Sequence, residues 1–149
     1  ALPSEFEEVL SLLSAAGWPN RVGCMLEVPS AILDSSLFAS AGATNLLVGL
    51  NDLTSLLFGA ERNSELHNKL HPTLWRLIDS LHSLPAECEW GIAGSMSPDI
   101  IATARVHDVP YAAVHYSELP EVLGIAASSL PDLGLVAEIK GRRKRVKRG

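Results

Sequence analysis

An α/β fold of four parallel strand–helix units is what the sequence predicts. Short, near-continuous apolar runs such as Val22–Leu26 and Leu46–Val48 have the length and composition of strands covered on both faces. Amphipathic helical segments separate them. Each of the first two runs also has a carboxylate just beyond its end, Glu27 and Asp52. In a parallel α/β arrangement the carboxyl ends of the strands share one rim, so both acids are expected there.

In order, Phe6, Val9, Leu10, Leu12 and Leu13 recur at helical spacing, with Ser4 as the N-cap and Glu7 as its capping-box partner. Gly17 and Pro19 end that helix. Arg21 to Leu26 reads as the first strand. Pro29 and Ser30 open a helix to about Ala41 that buries Ile32, Leu33, Leu37 and Phe38, and Gly42 stops it. Asn45 to Gly49 is the second strand, with a short helix from Asp52 to Glu61 over the rim. Residues 64–70 read as a loop or helical turn. His67 and His71 are four apart, but Pro72 biases His71 away from helical backbone and so against a metal pair. Pro72 starts a helix that buries Leu74, Trp75, Leu77, Ile78 and Leu81. Glu89 to Ala93 is the third strand, and Trp75 and Trp90 read as packing residues. Ser97 caps a helix from Pro98 to about His107. Tyr111 to Tyr116 is the fourth strand and Leu119 to Ser129 a closing helix. From Pro131 onward we expect a docked segment and then a free tail.

Composition narrows the function classes. The chain has 149 residues, 47% of them hydrophobic, which suffices for one domain with a sizeable core. No apolar run approaches the roughly 20 residues of a membrane span, and the start lacks the pattern of a signal peptide. Cys24 and Cys88 make a poor disulfide framework and read as reduced thiols, so we expect a cytoplasmic protein. The net charge of −5 is uneven: seven of the twelve basic residues lie in 140–149, so residues 1–139 carry five basic against seventeen acidic residues. Such a body repels nucleic acid, and the terminal basic run reads as a solvated, disordered end. We therefore expect one domain over 1–139 and a tail over 140–149.

Two neighbouring carboxylates on one rim invite a hard divalent cation, magnesium or manganese. They could equally be helix caps, Glu27 for the helix near Ser30 and Asp52 for the turn from Leu53 to Phe58. Spacing alone leaves both readings open.

The motifs are more specific. Met25-Leu26-Glu27-Val28-Pro29, then Gly49-Leu50-Asn51-Asp52-Leu53-Thr54, Glu61-Arg62-Asn63 and His71-Pro72 resemble the C-terminal domain of phosphoenolpyruvate-utilising enzymes, from about Arg21 to about Ile125. The resemblance implies a phosphoenolpyruvate- or pyruvate-binding (β/α)8 barrel, of which four units are the second half. It also implies magnesium, or manganese, on Glu27 and Asp52, and substrate phosphate on Asn51 and Arg62. In the family a cysteine of a Cys-Gly pair gives a proton to the enolate; here Ala93-Gly94 stands in its place, with Ser95 the nearest substitute. A positioned general acid contributes about 10²–10⁴-fold in rate, so pyruvate formation is expected to be slow or absent. The family's other substrate arginines and its phosphate-accepting histidine belong to parts not matched here, so full dikinase-type activity is not expected.

Four strands bent into a half-cylinder leave open edges and an apolar inner face. We expect a homo-oligomer or a partner chain to complete the barrel. Two other functions stay open: a divalent-metal aldolase of 2-oxo acids, which needs no cysteine at Ala93, and a non-catalytic interaction domain.

Overall fold

A computed structural model of the chain describes residues 2–130. The expected docked segment from Pro131 and the basic run 140–149 lie outside the described residues. No helix among the described residues is long and apolar enough to cross a membrane.

The four strands, β1 (Gly23–Leu26), β2 (Asn45–Gly49), β3 (Glu89–Ala93) and β4 (Ala112–Ala113), form one sheet in the order β1-β2-β3-β4, parallel at every step. Sequential, all-parallel order is that of a (β/α)8 wall, and the sheet is half of one. The register pairs Leu26 with Val48, Gly49 with Ala93, and Ala93 with Ala113. The carboxyl ends therefore finish level, and the residues after them share one rim.

Alternation along the strands sends Leu26, Leu46, Val48, Trp90 and Ile92 to one face, where all are buried. The helices cover that face with Ile32, Phe38, Leu53, Leu74, Trp75, Ile78 and Leu81. Trp75 and Trp90 are packing residues, as expected. The opposite face is more open. Met25 is 46% exposed, Ala113 is exposed, and Leu47 and Ala93 are partly so. On that face the Tyr111 ring lies over Gly91, where a Cβ would come within 2.6 Å of it, and the Asn45 amide reaches the Tyr111 hydroxyl at 2.6 Å.

Several elements start or stop elsewhere than the pattern predicts. Helix α1 (Pro3–Ala15) begins before Ser4 because Pro3 has no N–H to leave unpaired and its fixed φ suits the first turn. Leu2 is therefore its N-cap, and the Glu5 carboxylate, in place of Glu7, accepts the Leu2 N–H at 2.7 Å. Phe6 is buried, whereas Val9 and Leu12 are exposed.

The helix expected over 29–41 is two, α2 (Pro29–Leu33) and α3 (Ser35–Ser40), broken at Asp34. At 100° per residue Ile32 and Phe38 would diverge by about 120° on a continuous helix. The break lets both enter the core, while Leu33 and Leu37 face outward.

Helix α4 (Leu50–Phe58) follows β2 without a loop and ends at Gly59, whose φ of 59° is left-handed. Helix α5 (Pro72–Ile78) tightens into a 3₁₀ turn over 79–83. Helix α6 (Pro98–Val106) is capped as predicted, the Ser97 hydroxyl accepting the Ile100 N–H at 3.3 Å.

Strand β1 begins at Gly23 rather than Arg21. Strand β4 pairs over two residues only, because it has one neighbour and His115 already caps the next 3₁₀ turn. Helix α7 (Leu119–Leu123) stops at Gly124, also left-handed, so the expected helix to Ser129 is cut short.

Phe38 is fully buried and packs edge-on against Phe6 at 6.1 Å. Phe38→Ala is expected to cost about 3–5 kcal/mol of stability, from lost burial plus the cavity left behind. Chemical denaturation of the two proteins checks this.

Candidate functional site

Three strand ends build one hollow. Met25, Glu27, Gly49, Asn51, Asp52, Ala93 and Gly94 line a cavity of about 160 Å³ at the carboxyl ends of β1, β2 and β3. Because β2 runs straight into α4, Asn51 and Asp52 sit in the first helical turn and stay at the rim. Glu27, just past β1, lies across the end of β2. A Cβ on Gly49 would come within 2.7 Å of Glu27 Cγ and 2.9 Å of its Oε1, so a larger residue at 49 would push the carboxylate away.

Neither acid is a helix cap. The N-caps of α2 and α4 are Val28 and Gly49, with no side-chain cap at either. Asp52 instead meets Arg62, whose Nη2 donates to Oδ1 at 2.5 Å. That hydrogen bond is the main reason the Asp52 carboxyl is held below its ordinary 3.8; the Arg62 charge and the neighbouring Glu27 act in the same direction, against a desolvation penalty. Asp52 is therefore an anion throughout the neutral range. Exposed ion pairs contribute little to stability, so this contact does more to place the guanidinium than to hold the fold.

The sequence-predicted set thus comes together: Glu27, Asn51 and Asp52 line the hollow and Arg62 is bonded to one of them. A carboxylate has about four acceptor positions, so the Arg62 bond leaves Asp52 with oxygen capacity to spare. No group of three or more His, Cys, Asp and Glu that could hold a metal occurs among the described residues. Two carboxylates in an open hollow match the habit of magnesium, which takes one or two carboxylates and fills the rest of its octahedron with water or ligand oxygens. The donor set fits such an ion.

The remaining candidates fall nearby. Ala93 lines the hollow, and its methyl group has no acidic proton. Ser95 lies one hollow over, in an adjoining space of about 450 Å³ lined by Asn51, Gly94, Ser95, Ala113, Val114, His115 and Glu118. Its N–H reaches Asn51 Oδ1 at 3.4 Å. The histidines do not pair: His67 Nε2 donates to the Asn51 carbonyl at 2.9 Å, while His71 Nδ1 accepts the Thr73 N–H at 3.1 Å as the cap of α5. Both thiols are free, and burial pushes the Cys24 thiol up to about 11, which disfavours its thiolate at neutral pH.

Sequence reasoning missed the contacts that three rim groups make. His67 fixes the backbone of Asn51. Lys69 Nζ donates to the Ser95 carbonyl at 2.9 Å, and Glu118 Oε2 accepts the Met96 N–H at 3.1 Å. All three act between segments far apart in the chain, and no local pattern signals them.

An acidic hollow with an arginine bonded to its rim, at the strand ends of half a parallel barrel, defines the class: an α/β domain of the (β/α)8 type with its polar groups at the carboxyl ends of the strands. Over residues 5–118 the chain matches the family of the PEP-utilising enzyme, PEP-binding domain, and it belongs to that family. It is 32% identical over 127 residues to the multiphosphoryl transfer protein of Rhodobacter capsulatus, covering 81% of this chain and 15% of that protein. It is 40% identical over 62 residues to the phosphoenolpyruvate-protein phosphotransferase of Borreliella burgdorferi, covering 39% of this chain and 11% of that protein. The chain thus spans about a seventh or less of the length of these relatives.

The close approach at Gly49 yields a test. In Gly49→Ala the new methyl group meets Glu27 from Cγ outward, so the whole side chain has to take another rotamer and stability should fall by about 1–2 kcal/mol. The carboxylate then leaves the hollow, and any rise in melting temperature that magnesium gives the unaltered chain should be lost. Differential scanning fluorimetry with and without the ion measures both effects.

Proposed function

We propose that this domain binds a divalent cation, magnesium or alternatively manganese, on Glu27 and Asp52, and phosphoenolpyruvate or a pyruvate-like 2-oxo acid through Asn51 and Arg62. The observation that carries this reading is the convergence of Glu27, Asn51 and Asp52 in one hollow with Arg62 bonded to Asp52. Membership of a PEP-binding family supports the ligand class.

The ion would supply electrostatic stabilisation for the charged oxygens of the acid. Arg62 offers a planar fork suited to a phosphate or carboxylate. The Asn51 amide offers both a donor and an acceptor, and His67 holds its backbone in place.

Ala93 sets the chemical limit. With alanine in place of the family's proton donor, we read the domain as a degenerate relative of the phosphotransferases that binds the acid and forms pyruvate slowly or not at all. Transfer of a phosphoryl group calls for a tighter clamp of cations than Arg62 and one ion supply. The uncovered inner face around Met25, Leu47 and Ala113 suits further strands from a second copy, a partner chain or more of the same polypeptide. A second reading, a divalent-metal aldolase of 2-oxo acids, draws support from Ala93 and from the adjoining hollow, which has room for an aldehyde; release of pyruvate from a 4-hydroxy-2-oxo acid would favour it.

Isothermal titration of magnesium with phosphoenolpyruvate or oxalate tests the main reading. The chain as it stands should give a saturable heat, and Asp52→Ala should weaken binding by at least about tenfold, since it deletes one of two anionic ligands. Equal heats for the two proteins would remove the site.

A further inference from the structure

The larger of the two hollows at this rim is lined differently from the first. It measures about 450 Å³, against about 160 Å³, and Asn51 and Gly94 line both, so the two adjoin. The bare backbone of Gly94 makes that junction possible: its φ of 137° is one that L side chains rarely adopt, and a Cβ there would come within 3.2 Å of Asn51 Oδ1. The Asn51 side chain therefore lies against the turn that follows β3, with the Ser95 N–H on its Oδ1 at 3.4 Å.

Three polar groups of the larger hollow have hydrogen-bonding capacity to spare. The Ser95 backbone is fixed on both sides, its N–H on Asn51 and its carbonyl on Lys69 Nζ at 2.9 Å, while its hydroxyl has no partner among the described residues. His115 caps the 3₁₀ turn Tyr116–Glu118 with Nδ1, which accepts the Ser117 N–H at 3.3 Å and lies 2.7 Å from the Ser117 hydroxyl. Nε2 therefore carries a hydrogen in the neutral and the charged ring alike, and that donor too is uncommitted among the described residues. Glu118 gives Oε2 to the Met96 N–H at 3.1 Å and keeps Oε1 as a further acceptor.

This set of groups favours one kind of ligand. With a carboxylate and no lysine or arginine in its lining, the hollow disfavours a second carboxylate or a phosphate. It suits hydroxyl groups, which can donate to Glu118 and accept from His115 and Ser95, and the Ala113 and Val114 part of the lining suits a carbon chain. We propose that the larger hollow is a second subsite, in which Ser95, His115 and Glu118 hold the hydroxylated tail of a 2-oxo acid longer than pyruvate while the oxo-acid end occupies the first hollow. This inference rests on the binding function proposed above and narrows its ligand to an acid with a hydroxyl just beyond the methylene next to the oxo group.

The acids 4-hydroxy-2-oxopentanoate and 2-oxopentanoate differ by that hydroxyl alone, so the ratio of their affinities isolates the subsite. In titration calorimetry with magnesium, the unaltered chain should bind the hydroxy acid about three- to tenfold more tightly, the size of a net hydrogen bond. Ser95→Ala combined with His115→Asn should bring the ratio to about one. Asparagine keeps an acceptor for the Ser117 N–H, so the cap is retained while the Nε2 donor goes. Because the ratio is read from folded molecules only, a partial loss of folded protein does not imitate this result. Equal affinities in the unaltered chain would overturn the proposal, and so would a preference that survives in the double variant. Pyruvate separates the two levels: if it binds and the hydroxyl brings no preference, the second subsite alone is wrong. If none of the three acids binds, the first hollow does not anchor an oxo acid and the subsite falls with it.

Discussion

The level finish of β1, β2 and β3 is the constraint on which the rest of the structure depends. Parallel pairing in sequential order, with Leu26 beside Val48 and Gly49 beside Ala93, brings residues up to 70 positions apart to the same edge of the sheet. Two local features convert that edge into a site. The absence of a loop between β2 and α4 keeps Asn51 and Asp52 at the rim, and the bare backbone at Gly49 lets Glu27 lie across toward them. A slip of one residue in the β1–β2 register would turn Met25 into the core and Leu26 out of it, so the packing of Leu26 against the helices also guards the position of Glu27.

Charge is unevenly distributed along this edge. Two carboxylates face one guanidinium in the hollow, and Asp52 is kept ionised by its bond to Arg62. Its folded pKa lies below the unfolded value, so the favourable contribution is complete at any pH above about the ordinary carboxylate range and disappears only as acid takes the pH through the lowered value. At neutral pH the edge therefore keeps an excess of negative charge on the β1–β2 side, which a cation would balance.

Much of this was legible in the sequence because it lies in short, contiguous motifs. Glu-Val-Pro after one apolar run and Asn-Asp-Leu-Thr after the next carry the two carboxylates, and their neighbours Val28 and Gly49, rather than the acids, proved to be the helix N-caps. The alternation of apolar runs gave all four strand positions. What the sequence concealed depends on packing. A helical pattern over 29–41 conceals the break at Asp34, because the reason for it, burying Ile32 and Phe38 together, exists only against the sheet. Pro3 outranked the hydroxyl of Ser4 in choosing where α1 begins. The 64–70 segment looked like a connector, yet His67 and Lys69 reach from it to Asn51 and Ser95, contacts that no spacing rule anticipates.

The central claim is that the carboxylates of Glu27 and Asp52 share one divalent ion. Crystals of the chain grown with manganese, measured at a wavelength where that metal scatters anomalously, test it most directly. The account predicts one anomalous peak in the β1–β2–β3 hollow, within bonding distance of an oxygen from each of the two side chains. A hollow without a peak at millimolar manganese, or an ion bound to Asp52 with Glu27 turned away, would contradict it.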